Sequence, residues 1–385
     1  MYFVLNSLRT EPDPSDSRLK EIIADVIGSD RRASSLSLEE KRVLATRVFN
    51  SLRRLDVIEP LMQDPTITEI MVNGPSNIFY ERGGRLYKSD IKFSSAESLQ
   101  TIISCFFANR NRPLNEAYPI ADLRLPDGSR ANAVLPPVAP DGPIVTIRKF
   151  TDVPRDIASF IRQGFISEEA ARFLCECVKN RRTIFLCGGT GSGKTTLLNT
   201  LSSFIPSDER VITIEDSAEL NLQGIPNLVR MEARLPGPDG TGEVNIGSMI
   251  RAALRMRPDR IIVGEVRGAE TAEMLHALTT GHKGSLSTGH ANSCEEMMDR
   301  LVSMTMAGSS LPYEAIVTQL SYAIDVIVHI KRGSDGCRYI DEISFVGRSN
   351  NREFNLINLF RSKGGLPLER TCEESILQRV SRYKE

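Results

Sequence analysis

The chain has 385 residues, 41% of them hydrophobic and 25% charged, with a formal net charge of -1. That length buries a sizeable core and holds two or three domains, and the near-neutral balance excludes an overall polyelectrolyte bias toward nucleic acid. No apolar run of about 18 residues is available to span a bilayer, and the opening Met1-Tyr2-Phe3-Val4-Leu5 is too short for a signal-peptide core. The expectation is a protein made and kept in the cytosol. The seven cysteines (Cys105, Cys175, Cys177, Cys187, Cys294, Cys337 and Cys372) are odd in number and form no CxxC pair. They read as reduced thiols rather than a zinc site.

Residues 1–60 read as a helical region. Pro12 and Pro14 mark a loose lead-in. Leu19, Ile22, Ile23, Val26 and Ile27 recur at helical spacing, and Gly28 is expected to end that helix. Ser37 and Glu40 form a capping-box pair ahead of Val43, Leu44, Val48, Leu52 and Leu55. The bland reading, a packing or docking module, is the favoured one.

Residues 61–150 read as an α+β domain with much antiparallel sheet. Ile67 to Val72 alternates, and Gly83-Gly84 between Ile78-Phe79-Tyr80 and Arg85-Leu86-Tyr87 signals a hairpin. A helix is expected over Ala96 to Ala108. Strands come next near Ala121 to Leu125 and Arg130 to Leu135, around the turn Pro126-Asp127-Gly128, and a further strand runs from Ile144 to Phe150. Residues 151–165 read as a linker.

Residues 166–385 read as the last domain. Helix and strand alternate to about residue 345, which predicts a largely parallel sheet. Strands are expected at Arg182 to Cys187, Val211 to Glu215, Arg260 to Gly264 and Ser285 to Thr288. A late hairpin, Asp325 to Lys331 and Arg338 to Phe345, turns around Ser334-Asp335-Gly336. The tail beyond 350 reads as polar, with a helix near its end.

Gly188-Gly189-Thr190-Gly191-Ser192-Gly193-Lys194-Thr195 matches GxxxxGK[ST] without a mismatch, after an apolar strand and before a helix-forming run. Glycines let backbone N–H groups curl around phosphates, and the helix N-terminus adds its positive end. Lys194 is expected to reach the β- and γ-phosphates and Thr195 to ligate Mg²⁺, with Thr196 completing the nucleotide contacts. The chain is therefore expected to bind Mg-ATP.

Hydrolysis also needs a poised water. Arg257-Pro258-Asp259-Arg260-Ile261-Ile262-Val263-Gly264-Glu265 has the form of a strand ending in an acid, but Gly264 stands where a magnesium-binding Asp is usual and Glu265 comes one step later. Glu265 is assigned to orient or deprotonate water. Since Gly264 supplies no carboxylate, Glu215 is the choice to hold a magnesium water; Asp216 is either a second such acid or a helix N-cap. Two of the four histidines, His282 and His290, lie in glycine-framed loops around the strand near Ser285–Thr288. His290 is placed to sense a γ-phosphate and His282 to position a neighbouring loop.

These blocks resemble, in order, the Walker A motif, the Asp box (Ile214-Glu215-Asp216-Ser217-Ala218-Glu219), the Walker B motif (Met256 to Gly268) and the His box of the type II/type IV secretion ATPase superfamily. The Gly-Glu ending of Walker B is normal in that family. Within it, three stretches are similar to CpaF-type ATPases of Tad/Flp pilus assembly: Asp122 to Pro137, Thr146-Ile147-Arg148-Lys149-Phe150, and the insert from Glu232-Ala233-Arg234 to Gly242-Glu243-Val244. Conjugation and type IV secretion ATPases are close relatives. The tetracysteine zinc module of many type II secretion ATPases is absent, which argues against that branch.

The resemblance implies a RecA-like P-loop NTPase C-terminal domain joined by a linker to an α+β N-terminal domain, with nucleotide at the cleft and six subunits in a ring. Arg124 and Arg130 match arginine fingers on the triphosphate, a role that suits a planar, permanently charged guanidinium. Arg148 is expected to touch the nucleotide, and Arg267 to bridge subunits or sites. The implied activity is ATP hydrolysis that works a membrane-embedded platform protein and, through it, pilin or a secreted protein, from the cytoplasmic side of the inner membrane. The rivals are a conjugative or type IV secretion ATPase, a DNA-translocating RecA-like motor, a small-molecule kinase and a non-hydrolysing scaffold. Net charge and the lack of interleaved aromatic and basic residues count against DNA.

Overall fold

The computed structural model describes residues 14–382 except 111, 151–155, 235, 238–239, 334–335, 349–352 and 364–366, and the side chain of Ser51. Met1 to Leu5, Pro12, Ser334, Asp335 and parts of the expected linker and of the 232–244 insert therefore lie outside the described residues. The chain divides into two compact units, residues 1–151 and 152–385.

In the first unit, helices α1 (Asp16–Ser29) and α2 (Leu38–Arg53) pack through Leu19, Ile22, Ile23, Ile27, Ala33 and Phe49. Ser37 and Glu40 form the expected capping box at the start of α2. Gly28 lies inside the last turn of α1 and does not end it. Asp30 does: its backbone is extended, and its carboxylate accepts the Arg32 N–H of the next turn. A short polar side chain offers the backbone that alternative to helix.

Leu55 and Ile58 already belong to the core of the adjoining sheet domain. After α3 (Glu59–Gln63) come β1 (Ile67–Asn73), β2 (Ile78–Arg82), β3 (Arg85–Lys88), α4 (Ala96–Ala108), β4 (Ile120–Arg124), β5 (Arg130–Val134) and β6 (Ile144–Arg148). The strands form one antiparallel sheet in the order β3-β2-β1-β6-β5-β4. Gly83 and Gly84 both have positive φ, as the tight β2–β3 turn requires. Alternate strand residues, including Ile70, Ile147, Ala131 and Leu123, share a core with Leu99, Ile103 and Phe107 of α4. One face of the sheet is thereby apolar and covered.

The second unit begins within the segment expected to be a linker. Asp156 caps α5 (Ile157–Arg162), and Phe160 and Phe165 are buried in the unit's core, their rings 4.5 Å apart. Residues 156–165 are thus part of the domain, because two phenylalanines bury more apolar surface there than a linker would leave wet. The unit continues through α6 (Glu168–Lys179), β7 (Ile184–Gly188), α7 (Lys194–Ser202), β8 (Arg210–Glu215), β9 (Asn227–Glu232), α8 (Ile246–Ala253), β10 (Arg260–Val263) and α9 (Glu270–Thr279). It ends with β11 (Leu286–Gly289), α10 (Cys294–Gly308), α11 (Tyr313–Ala323), β12 (Val326–Arg332), β13 (Arg338–Gly347), β14 (Asn355–Arg361), β15 (Glu369–Arg370) and α12 (Glu374–Ser381). The sheet order is β15-β14-β13-β12-β7-β11-β10-β8-β9. Pairs from β12 to β9 are parallel, and β13, β14 and β15 add antiparallel. Apolar cores cover both faces, as a parallel sheet requires.

The expected polar tail ends in a helix, α12, but also contributes β14 and β15. Leu359 and Phe360 of β14 are buried; scattered Asn and Arg hide that strand in the sequence. No helix among the described residues is long and apolar enough to cross a membrane.

At the amino end of β10, Arg260 is fully buried. Its Nε and Nη2 donate to the two carboxylate oxygens of Glu209 at 2.5 and 3.0 Å, and its Nη1 donates to the carbonyls of Val178 and Gly284. One side chain thus ties the end of α6, the start of β8 and the turn before β11 to β10. Arg260→Met should cost about 3–5 kcal/mol by leaving the buried Glu209 carboxylate with only the half-exposed Arg181 as a charged partner, read as a lowered denaturant midpoint. Arg260→Met with Glu209→Leu should recover most of that loss.

Candidate active site

Strands β7, β8, β10 and β11 run parallel, so their carboxyl ends lie along one edge of the sheet. The order β7-β11-β10-β8 sets the sequence of groups along that edge: the glycine loop after β7, His290 after β11, Gly264-Glu265 after β10, and Glu215 at the end of β8. In open parallel sheets ligands bind at this edge.

The glycine loop needs its glycines. A Cβ on Gly188 would meet the Ile330 carbonyl oxygen at 2.2 Å, and Gly193 (φ 104°) caps α7 with no side-chain hydrogen bond. The first N–H groups of a helix have no intrahelical acceptor and suit an anion. Lys194 is buried, and its Nζ donates to the carbonyls of Gly188 and Gly189, each at 3.0 Å. Ser192 Oγ is buried without a hydrogen-bond partner. A turn of N–H donors, an orphaned hydroxyl and a buried ammonium fit a phosphate chain. Thr190 and Thr196 flank this turn, exposed and half-buried respectively.

Glu215, expected to hold a magnesium water, is bound to the backbone of its own loop. It is buried, and its Oε1 accepts the backbone N–H groups of Glu219 and Leu220 at 2.7 and 2.8 Å. Its side chain also explains the departure at Walker B: a Cβ on Gly264 would lie 2.9 Å from Glu215 Cγ. An aspartate does not fit there. The carboxylate that reaches the Thr195 hydroxyl is that of Glu219, whose Oε2 accepts from Thr195 Oγ1 at 3.5 Å. Glu219 did not stand out in the sequence; its signal is the four-residue spacing from Glu215 in a loop that the Glu215 carboxylate folds back on itself. Asp216 caps no helix. It is exposed, with Oδ2 4.0 Å from Arg267 Nη1.

His290 stands between the two strand ends. Its Nδ1 is 3.4 Å from Lys194 Nζ, and its Nε2 is 2.6 Å from Glu265 Oε1. Desolvation and the Lys194 charge hold its pKa below the ordinary histidine value, with the Glu265 charge opposing. The ring is therefore neutral at pH 7. The other oxygen of Glu265 accepts from Arg267 Nε and Nη2 at 3.0 and 2.6 Å. His282 stands apart from this group: its Nδ1 lies 3.2 Å from the Ala277 carbonyl, near the carboxyl end of α9.

In the first unit, the three expected arginines form one cross-strand row. Arg124 pairs with Arg130 across β4–β5, Arg130 with Arg148 across β5–β6, and Arg148 with Glu69 across β6–β1. Directly opposed residues share a face. The adjacent row, Leu123, Ala131, Ile147 and Ile70, is buried with α4, so the arginines occupy the other face. The turn beside them is fixed by buried Ser129, which donates to Asp127 and accepts the Phe150 N–H. Glu69 lies 3.9 Å from Arg148 at one end of the row. Stacked like charges are unfavourable, and an anion with several charges would relieve them.

Residues 52–372 match the family model described as "Type II/IV secretion system protein". The chain belongs to that family. A protein of Mycobacterium tuberculosis named for conjugal transfer is 35% identical over 321 residues, 82% of this chain and 90% of that one. The type IV secretion system protein VirB11 of Brucella abortus is 34% identical, over 75% of this chain and 88% of its own. The crystal structure of the pilus retraction motor PilT with bound ADP covers 86% of each chain with a TM-score of 0.54 at 18% identity, and shares the fold. This family member therefore has the α/β, RecA-like architecture that the sequence implied.

Replacing the two Asp-box glutamates separates their tasks. Glu215→Ala should cost about 2–3 kcal/mol through its lost charged hydrogen bonds. Glu219→Gln should leave the melting temperature nearly unchanged and raise the Mg²⁺ concentration needed for half-maximal nucleotide binding. A shifted Mg²⁺ requirement in Glu215→Ala at unchanged stability would reverse the assignment.

Proposed function

We propose that this chain is an ATP-hydrolysing motor that works as a homo-hexamer and drives transport or fibre assembly across a cell envelope. The carrying observation is the shared sheet edge, where Lys194 of the phosphate loop and Glu265 of the neighbouring strand end meet through His290. Family membership supports the same reading.

In this mechanism Lys194 exchanges the carbonyls of Gly188 and Gly189 for phosphate oxygens, and the N–H groups of Gly189 to Thr195 cradle the β-phosphate. Mg²⁺, when bound, neutralises charge on the transferred phosphate; Thr195 and Glu219 are the residues that would hold it. Glu265 orients the attacking water and accepts its proton. His290, between Lys194 and Glu265, is placed to sense the γ-phosphate. Arg124 and Arg130 act as arginine fingers on the triphosphate, and Arg148, opposite Arg130 in the same row, is a further nucleotide contact. ATP binding favours a closed arrangement of the two units, and hydrolysis releases it.

A membrane-embedded platform protein is the proposed partner, with pilin or a secreted protein moved through it and the motor on the cytoplasmic side of the inner membrane. Tad/Flp pilus assembly of the CpaF type is supported by the stretches Asp122–Pro137, Thr146–Phe150 and Glu232–Val244. A type IV secretion or conjugation motor is supported equally by the names of the relatives from Brucella and Mycobacterium.

Steady-state ATPase activity across protein concentration, with sizing in parallel, tests the motor. Turnover should rise as hexamers form, and Glu265→Gln should lose at least about 100-fold in kcat while still binding ATP. Concentration-independent turnover by a monomer would remove the ring and its shared sites.

A further inference from the structure

We propose that Arg267 is a positioning residue for hydrolysis: by holding one oxygen of Glu265 it turns the other toward the reacting water. The role rests on the proposed assignment of Glu265 as the water-side acid and goes one step past it.

Both the Nε and the Nη2 of Arg267 donate to the same atom, Glu265 Oε2. Two charge-assisted N–H bonds converging on one oxygen hold that oxygen in place, and with Cδ tied to its own chain this sets the side on which the other oxygen lies. The remaining oxygen, Oε1, is buried; it lies 2.6 Å from His290 Nε2 but makes no well-aligned hydrogen bond. It is the oxygen on the Lys194 side of the site, and it retains acceptor capacity for a water.

The backbone that carries Arg267 is itself held. Arg267 N and Gly268 N donate to Glu270 Oε1 at 2.6 and 2.8 Å, and Val266 N donates to the Thr288 carbonyl at 3.0 Å. The loop after β10 is thereby tied both to the first turn of α9 and to β11. On its far side Arg267 Nη1 faces Asp216 Oδ2 at 4.0 Å, so the cation sits between the acids that come after β10 and β8. Hydrogen bonding to Glu265 raises the Arg267 pKa further, so its charge is constant.

Stability does not explain this pair. The Arg267 side chain is 60% exposed, and ion pairs of that kind contribute about 0–1 kcal/mol. Orientation of a reacting group does explain it, because small displacements of such a group carry large rate penalties.

The test is a double-mutant cycle on the full chain, reading kcat, KM for Mg-ATP, nucleotide affinity and melting temperature. Arg267→Ala should lower kcat about 10–100-fold, with KM and nucleotide affinity within about threefold and little change in melting temperature. Arg267→Lys, which restores one donor, should recover part of the loss. Added to Glu265→Gln, Arg267→Ala should change the residual rate by less than about twofold, since a positioning residue has nothing left to position. If Arg267→Ala does not fold, Arg267→Lys carries the same cycle with a smaller loss, about three- to tenfold. An Arg267 variant with wild-type kcat, or losses that multiply in the double variant, would overturn the positioning role alone. Wild-type turnover in Glu265→Gln would overturn the reading of the site itself.

Discussion

Everything at the candidate site depends on one strand standing where it does. β11 lies between β7, which ends in the phosphate loop, and β10, which ends in Gly264-Glu265. Neighbouring strands are about 4.8 Å apart, so the acid is held nearly 10 Å along the sheet from the loop it must serve. His290, emerging from the end of β11, lies in that gap and touches both. Keeping the ring neutral lets it sit beside a lysine without repulsion, which burial and the lysine charge together secure.

A second constraint acts one strand further out. Glu215 is buried at the end of β8 and folds the adjoining loop over itself by accepting two backbone N–H groups. Its side chain fills the volume that a Cβ at position 264 would need. Position 264 is thereby left without a carboxylate, Glu265 is the acid that comes after β10, and the loop that Glu215 shapes brings Glu219 beside Thr195. The Glu219 carboxylate thereby lies beside the P-loop hydroxyl, where a hydrated cation would need oxygen donors.

Much of this was legible in the residues. The glycine loop, the helix starting at Lys194, the helix Ala96–Ala108 and the Ser37–Glu40 cap arise from local chemistry, and each stands as expected. The sequence also picked out Arg124, Arg130 and Arg148, although their alignment in one row needed the register of three strands. What stayed hidden was non-local. That Glu215 fills the space above Gly264 and holds two backbone N–H groups of its own loop is invisible in one dimension. Phe160 and Phe165 looked like linker because their partners are far along the chain. β14 was masked by asparagines on an antiparallel strand near the sheet's edge, where polar residues are tolerated.

We propose that Glu219 faces the metal while Glu215 holds the loop. The test is a crystal structure of the protein with a non-hydrolysable ATP analogue and Mn²⁺, the ion located by its anomalous signal. Mn²⁺ is expected at Thr195 Oγ1 with the Glu219 carboxylate on it directly or through a water, and Glu215 still bound to the N–H groups of Glu219 and Leu220. A Glu215 carboxylate turned out of that loop and onto the metal would contradict it.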